Sequence, residues 1–203
     1  KLNKGIEFLF KKNKVDYLKG TASIPAAGKV EVTAADGSKA THDAANILIA
    51  TGAKSRPMPG FPFNGTTVIG SKEAMTMATQ PKSVIVIGAG AIGIEFAYFF
   101  NAYGTKVTDD EMHPNILPVK DTEVSQTLEK SLTKAGIRIL TNTNVTGTSE
   151  DGKGVKITVE GAATETLEAD VALVAIGVAP VLPGGIELKL TDRGWLDTND
   201  RYE

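Results

Sequence analysis

An α/β fold with a doubly wound parallel sheet is predicted by three features of the chain. Short, wholly apolar runs at 84–87 and 171–176 have the composition of strands covered on both faces. A glycine-rich turn, Gly88-Ala89-Gly90-Ala91-Ile92-Gly93, joins the first run to a helical pattern. Strand and helix signals then alternate through Leu140, which calls for crossover connections within one sheet.

Element by element, Leu2, Ile6, Leu9 and Phe10 recur at helical spacing, so residues 1–12 are expected to form the tail of an amphipathic helix. From 16 to 51, alternating or β-branched runs are broken by turn chemistry at 25–28 and at Asp36-Gly37, the latter read as a type I′ hairpin. An antiparallel β-meander follows from that pattern. The apolar run Ile47-Leu48-Ile49-Ala50 is expected to be a strand covered on both faces, leading into Thr51-Gly52-Ala53. Pro57, Pro59-Gly60, Pro62 and Gly65 mark 54–80 as a hinge or linker. Within it, Ser71 is expected to cap a short helix.

The second domain, 81–177, opens with the strand at 84–87. A helix at 92–102 closes at Gly104, and a second strand occupies 106–108. Asp121 can cap a helix that carries Val124, Leu128 and Leu132 on one face and ends at Gly136. A third strand at 137–140 precedes a hairpin array at 143–168, turned at Asp151-Gly152 and Gly161, and the strand at 171–176. Residues 178–203 are expected to return to the first domain, 1–53.

Charge and cysteine content exclude several function classes. Lys and Arg number 22 against 24 for Asp and Glu, a net charge of -2 without a basic run, which argues against nucleic-acid or membrane-surface partners. No window approaches the roughly 20 apolar residues of a membrane span, and no signal pattern is evident, so a cytoplasmic location is expected. Zero cysteines remove disulfides, thiolate metal clusters and a thiol nucleophile. His42 and His113 stand too far apart in sequence to form a metal site alone, so neither a metal site nor a catalytic residue is assigned. The chain starts at Lys1 without Met and stops just after a strand-like stretch, so both ends are expected to be cut from a longer sequence.

The glycine turn carries the chemistry. A G-x-G-x-x-G pattern between a strand and a helix is the phosphate loop of a Rossmann-like dinucleotide fold. Gly88 permits the sharp turn, Gly90 lets the backbone approach a pyrophosphate, and Gly93 lets helix and strand pack closely. Unpaired N–H groups at the helix start add partial positive charge. Such a site also needs a carboxylate near the end of the second strand for the ribose hydroxyls. Glu111, 23 residues after Gly88, fits, although Asp109 and Asp110 stand beside it and either could serve. A carboxylate there disfavours a 2′-phosphate, so NAD is expected over NADP.

The glycine turn with Glu111, preceded by Ile49-Ala50-Thr51-Gly52 and followed by Val174-Ala175-Ile176-Gly177-Val178-Ala179-Pro180, resembles the flavin-dependent pyridine nucleotide-disulfide oxidoreductases. Lys19-Gly20, Ile116-Leu117-Pro118 and Trp195-Leu196-Asp197 extend the resemblance over essentially the whole chain, with the dihydrolipoamide dehydrogenase branch the most similar. The resemblance implies that 1–53 and 178–203 are incomplete portions of an FAD domain and that 81–177 is the NAD domain. It further implies a homodimer within a 2-oxo acid dehydrogenase complex, in which dihydrolipoamide is oxidised and NAD reduced. The family's redox cysteine pair and C-terminal His-Glu pair have no counterpart here, so the fragment is expected to be catalytically incomplete and to hold FAD weakly or not at all.

By the same resemblance, Gly88, Ala89, Gly90, Ala91, Ile92, Gly93, Ile94 and Glu95 form the NAD loop, with Glu95 near the nicotinamide carboxamide. Val145 lies toward the adenosine and Gly177 toward the nicotinamide. Ala22, Thr51, Gly52 and Ala53 match backbone contacts to FAD. Three departures from the family pattern stand out. Asp109 and Asp110 replace apolar residues, so the second strand is expected to be frayed or short; Val178 and Val181 replace Arg and Asn; and His113, read as solvated, follows Met112. A related disulfide or mercuric reductase, or a non-enzymatic nucleotide-binding module, is the alternative reading.

Overall fold

The computed structural model describes residues 2–203, which divide into two compact units: 2–53 with Pro180–Glu203, and Lys54–Ala179. In the first unit, helix α1 (Leu2–Lys12) has the predicted extent, yet none of its residues is buried. Strands β1 (Thr21–Ala26), β2 (Lys29–Thr33) and β3 (Lys39–Asp43) form the expected antiparallel meander. The short strand β14 (Gly184–Gly185) joins β1 in parallel. The chain passes between the units along β4 (Ala53–Ser55) and β13 (Val178–Pro180).

Two local expectations fail in this unit. The β2–β3 connection is not a type I′ turn, because Gly37 has φ 84° but Asp36 does not adopt positive φ, and type I′ requires it at both central residues. Instead Gly37 N donates to Ala34 O at 3.0 Å, and the Asp36 carboxylate accepts from Ser38 N at 2.9 Å, giving a longer loop. The run Ile47-Leu48-Ile49-Ala50 is not a strand, and Leu48 is 89% exposed. A strand exists only where its N–H and C=O groups find a ladder, and no described strand supplies one there.

The second unit is built on five parallel strands in the order β5 (Val68–Ile69), β12 (Val171–Val174), β6 (Ser83–Ile87), β7 (Lys106–Asp110) and β8 (Arg138–Leu140). Helices α2 (Ser71–Ala74), α3 (Ala91–Ala102) and α4 (Thr122–Lys134) connect them. Val84, Val86, Val107 and Leu173 pack on one face of the sheet with Ala97, Phe100 and Leu132. On the other face, Ile85, Ile87 and Val174 meet Ile157 and Val159 of an antiparallel sheet, β9 (Asn144–Glu150), β10 (Val155–Glu160) and β11 (Thr164–Ala169). This is the predicted fold class, with the hairpin array as the third layer.

The stretch read as a linker packs into this unit. Phe61, Val68 and Ile69 are buried, and β5 adds a parallel edge strand, so its prolines shape a packed segment. Helix α2 is preceded by Gly70 as N-cap, not Ser71, and the Glu73 carboxylate accepts from Gly70 N at 3.1 Å. Asp121 caps α4 as expected, accepting from Glu123 N at 2.9 Å. Leu132 is buried there, but Val124 faces outward.

Strand β7 is not frayed at Asp109 and Asp110. Each pairs with both neighbours, Asp109 with Val86 and Ile139, Asp110 with Ile87 and Leu140, so the backbone ladder holds irrespective of side chain. Alternation directs Asp109 to the helix-covered face shared by Val86 and Val107. It is fully buried, and neither carboxylate oxygen has a hydrogen-bond partner. Burial first, then the charges of Glu111 and Asp110, hold its carboxyl well above the ordinary range.

At the strand-to-helix turn, a Cβ on Gly93 would stand 1.9 Å from Gly88 O, so the helix lies directly on the turn. Gly93→Ala is expected to lower unfolding free energy by at least about 2 kcal/mol, because a rigid backbone atom must move. A urea titration matching the parent would contradict that packing. Asp109→Val should raise stability by about 1–3 kcal/mol at neutral pH, since it removes a buried polar group without a partner. The folded state keeps this proton after the unfolded chain has lost it, so the parent loses stability as pH rises above the ordinary carboxylate range. The valine's advantage should therefore shrink in acid, and urea midpoints across pH would show it.

Candidate functional site

Where β6, β7 and β12 end, the second unit opens into a cleft of about 620 Å³. This is the carboxyl edge of the parallel sheet, beside the strand at which the order reverses, the position that open α/β sheets use for ligands. Ile87 and the glycine turn form its floor, and Ala175, Ile176 and Gly177 form one side. The loop after β7 gives Met112, His113, Pro118 and Val119, while Thr143, Asn144 and Val145 come from the start of the antiparallel sheet.

Gly88 adopts φ 102°, and a Cβ there would meet Ala175 O at 2.9 Å. Its N–H donates to Asp110 O at 2.7 Å, and Ala89 N donates to Glu111 Oε2 at 2.9 Å. These two amides are thus committed within the chain, which narrows the expectation that the whole turn faces a ligand. Gly90 is the N-cap of α3, in extended backbone, and no heavy atom lies within 4 Å of where its Cβ would be. Among the described residues, the amides of Gly90, Ala91 and Ile92 find no acceptor. They are free donors at the positive end of a helix.

Glu111 is buried at the end of β7. Its Oε1 accepts from His113 N at 2.9 Å, so both oxygens are held while each retains a lone pair. Its backbone is fastened too, with Glu111 N donating to Leu140 O at 2.8 Å and Thr143 N donating to Glu111 O at 3.0 Å. Leu117 N donates to Ala89 O at 2.8 Å, which anchors the loop wall to the turn.

Of the residues singled out from sequence, Gly88, Gly90, Ala91, Ile92, Glu111, Val145 and Gly177 line this cleft. Ala89, Gly93 and Ile94 are buried and do not line it, and Glu95 is exposed on α3 outside the lining. Ala22, Thr51, Gly52 and Ala53 belong to the first unit and are exposed. There the Thr51 hydroxyl donates to Val181 O, and Val181 N donates to Gly52 O at 3.0 Å. These four do not line the cleft of the second unit, and its geometry gives them no fit to a flavin.

Sequence reasoning missed Met58, which gave no signal inside a proline-rich stretch, and Thr143 and Asn144, whose nearness to Val145 was the available clue. His113 lines the cleft although its side chain is half exposed. Asp110, read from the sequence as a substitute for Glu111 and as a cause of fraying, lines the cleft in its own right and is 3% exposed, with Oδ1 unpartnered. Burial and then the Glu111 charge push its carboxyl up to about 7. Asp110, Glu111 and His113 are the ionisable lining residues, and no Lys or Arg is among them.

Comparison with known proteins agrees with this architecture. The model of the pyridine nucleotide-disulphide oxidoreductases matches residues 1–203. The chain is 39% identical over 208 residues to a dihydrolipoyl dehydrogenase of Chlorobaculum parvum, covering 98% of this chain and 44% of that protein. It is 44% identical over 209 residues to a dihydrolipoamide dehydrogenase of Chaetomium thermophilum, covering 99% and 42%. Among solved structures, LpdA of Mycobacterium tuberculosis superposes with a TM-score of 0.85 at 26% identity, over 96% of this chain and 44% of that one. The flavoprotein disulfide reductase RclA of Escherichia coli gives 0.79 at 27% identity, over 98% and 47%. The chain spans less than half the length of the curated relatives it matches. With the family model matching from end to end and relatives near 40% identity, the chain belongs to the pyridine nucleotide-disulphide oxidoreductase family.

Proposed function

We propose that the second unit is an NAD(H)-binding region of a flavoprotein disulfide oxidoreductase, of the dihydrolipoamide dehydrogenase kind. The observation that carries this reading is the set of free amides at Gly90, Ala91 and Ile92 beside the fixed carboxylate of Glu111. These amides would hold the pyrophosphate, whose charge the helix start complements. The Glu111 oxygens would accept from ribose hydroxyls, and the absence of Lys and Arg from the lining disfavours a 2′-phosphate. Val145 would border the adenosine, and Glu95 and Gly177 the nicotinamide end. When bound, the nicotinamide supplies hydride acceptance and release. The residues of this chain supply position, field and exclusion of water.

In the intact enzyme the reaction would oxidise dihydrolipoamide and reduce NAD, by way of FAD, in a homodimer that serves a 2-oxo acid dehydrogenase complex. This rests on the relatives named dihydrolipoyl dehydrogenase. A related disulfide reductase is the second reading, which the likeness to RclA favours. The 203 residues contain no cysteine, so no dithiol exchange can run on this chain's own side chains, and we infer that it does not complete the reaction alone. The four exposed residues of the first unit support at most weak FAD binding.

Gly90→Arg places a long side chain in open space at the cleft floor, so the fold should persist while NADH affinity drops at least about a hundredfold. Fluorescence titration with a thermal melt would check both, and unchanged affinity in a folded variant would refute the site. Glu111→Gln removes the charge and turns one acceptor oxygen into an NH2, so it keeps only one of the bonds from Ala89 N and His113 N. NADH affinity should fall about tenfold, with a smaller loss for NADPH. Equal losses for the two nucleotides, or none, would move the ribose contact elsewhere.

A further inference from the structure

Asp110 belongs to the cleft but has no role in the reading above. Its backbone carbonyl accepts from Gly88 N at 2.7 Å, which places it at the glycine turn. Its side chain lies on the strand face of Ile87 and Leu140, is 3% exposed and borders the cleft, and its Oδ1 has no partner. A carboxyl at the cleft wall whose Oδ1 is buried without a protein partner is a hydrogen-bonding group that the fold leaves unmatched.

We propose that Asp110 is a proton-operated determinant of dinucleotide affinity. Protonated, it is a neutral donor in the cleft; ionised, it sets a second negative charge beside Glu111 where an anionic dinucleotide must lie. The inference rests on the NAD(H) reading of the same cleft. Few other charges face this carboxyl. Glu111 and His113 share the cleft, and Asp109 points to the opposite face of β7. Strands β6 and β12 and residues 141–145 carry no ionisable side chain. On β8, Arg138 is tied to Glu165 at 2.9 Å, and Glu95 of α3 is exposed outside the lining. Burial and the Glu111 charge hold the Asp110 carboxyl near neutrality, so its charge changes where a cell's pH varies.

The test is calorimetric titration of the 203-residue chain with NAD+ across neutral pH, in buffers of different ionisation enthalpy. Affinity should fall roughly tenfold from about pH 6 to about pH 8.5, with net proton uptake on binding near neutrality. Asp110→Asn, which stays neutral, should bind with a nearly flat pH profile and without that uptake. His113→Gln should keep the slope, which separates Asp110 from the histidine that shares the cleft. An Asp110→Asn profile as steep as the parent's, or a slope lost only in His113→Gln, overturns the proposal while leaving the cleft a dinucleotide site. No NAD+ binding by any of the three at any pH, with each melting cooperatively, overturns both.

Discussion

One hydrogen bond organises the candidate site: the amide of Ala89 donates to the buried carboxylate of Glu111. It links the turn after β6 to the end of β7, beside the Gly88 amide that donates to Asp110 O and the Leu117 amide that donates to Ala89 O. A charge-assisted bond in a buried setting is stronger than a neutral one, so it can hold a glycine-rich backbone in a single conformation. Gly93 completes the arrangement from the other side, because its missing Cβ lets α3 rest on Gly88 O. With the turn clamped from both directions, the amides of Gly90, Ala91 and Ile92 are left pointing where no protein atom accepts them.

The acid cluster on β7 shows how one strand divides neighbouring residues among different tasks. Asp109 faces the helix-covered core without a partner and costs stability. Asp110 borders the cleft with its Oδ1 buried and unpartnered, and Glu111 has both oxygens engaged. The period of the strand sets this division, since successive side chains point to opposite faces. Net charge gives no hint of it. The two raised carboxyls arise from burial first and from the Glu111 charge second, with the Asp110 charge adding to the rise at Asp109.

Much of the second unit was legible from the sequence, because its signals are local and redundant. The apolar runs, the glycine turn, the Asp121 cap and Gly136 each name an element or its end, and the fold class follows from their order. Failures came where a long-range partner decides the outcome. Ile47-Leu48-Ile49-Ala50 has a strand's composition, but no described strand pairs with it. Residues 54–80 have a linker's composition, yet Phe61, Val68 and Ile69 find a core that only the assembled sheet provides. At Asp109 and Asp110 the side chains argue for fraying, while ladders on both flanks hold the strand straight. The cleft was half legible. Residues on the glycine motif were found by pattern, whereas Met58, Thr143 and Asn144 arrive by topology and carry no motif.

The central claim is that the free amides of Gly90, Ala91 and Ile92 meet the diphosphate of a dinucleotide. Backbone amide NMR on the isotopically labelled chain, titrated with NAD+, addresses it at those atoms. The account predicts that these three amides, with Glu111 and Thr143 close behind, show the largest shifts at saturating NAD+. Unmoved resonances at 90–92, with shifts clustered at another surface, would contradict it.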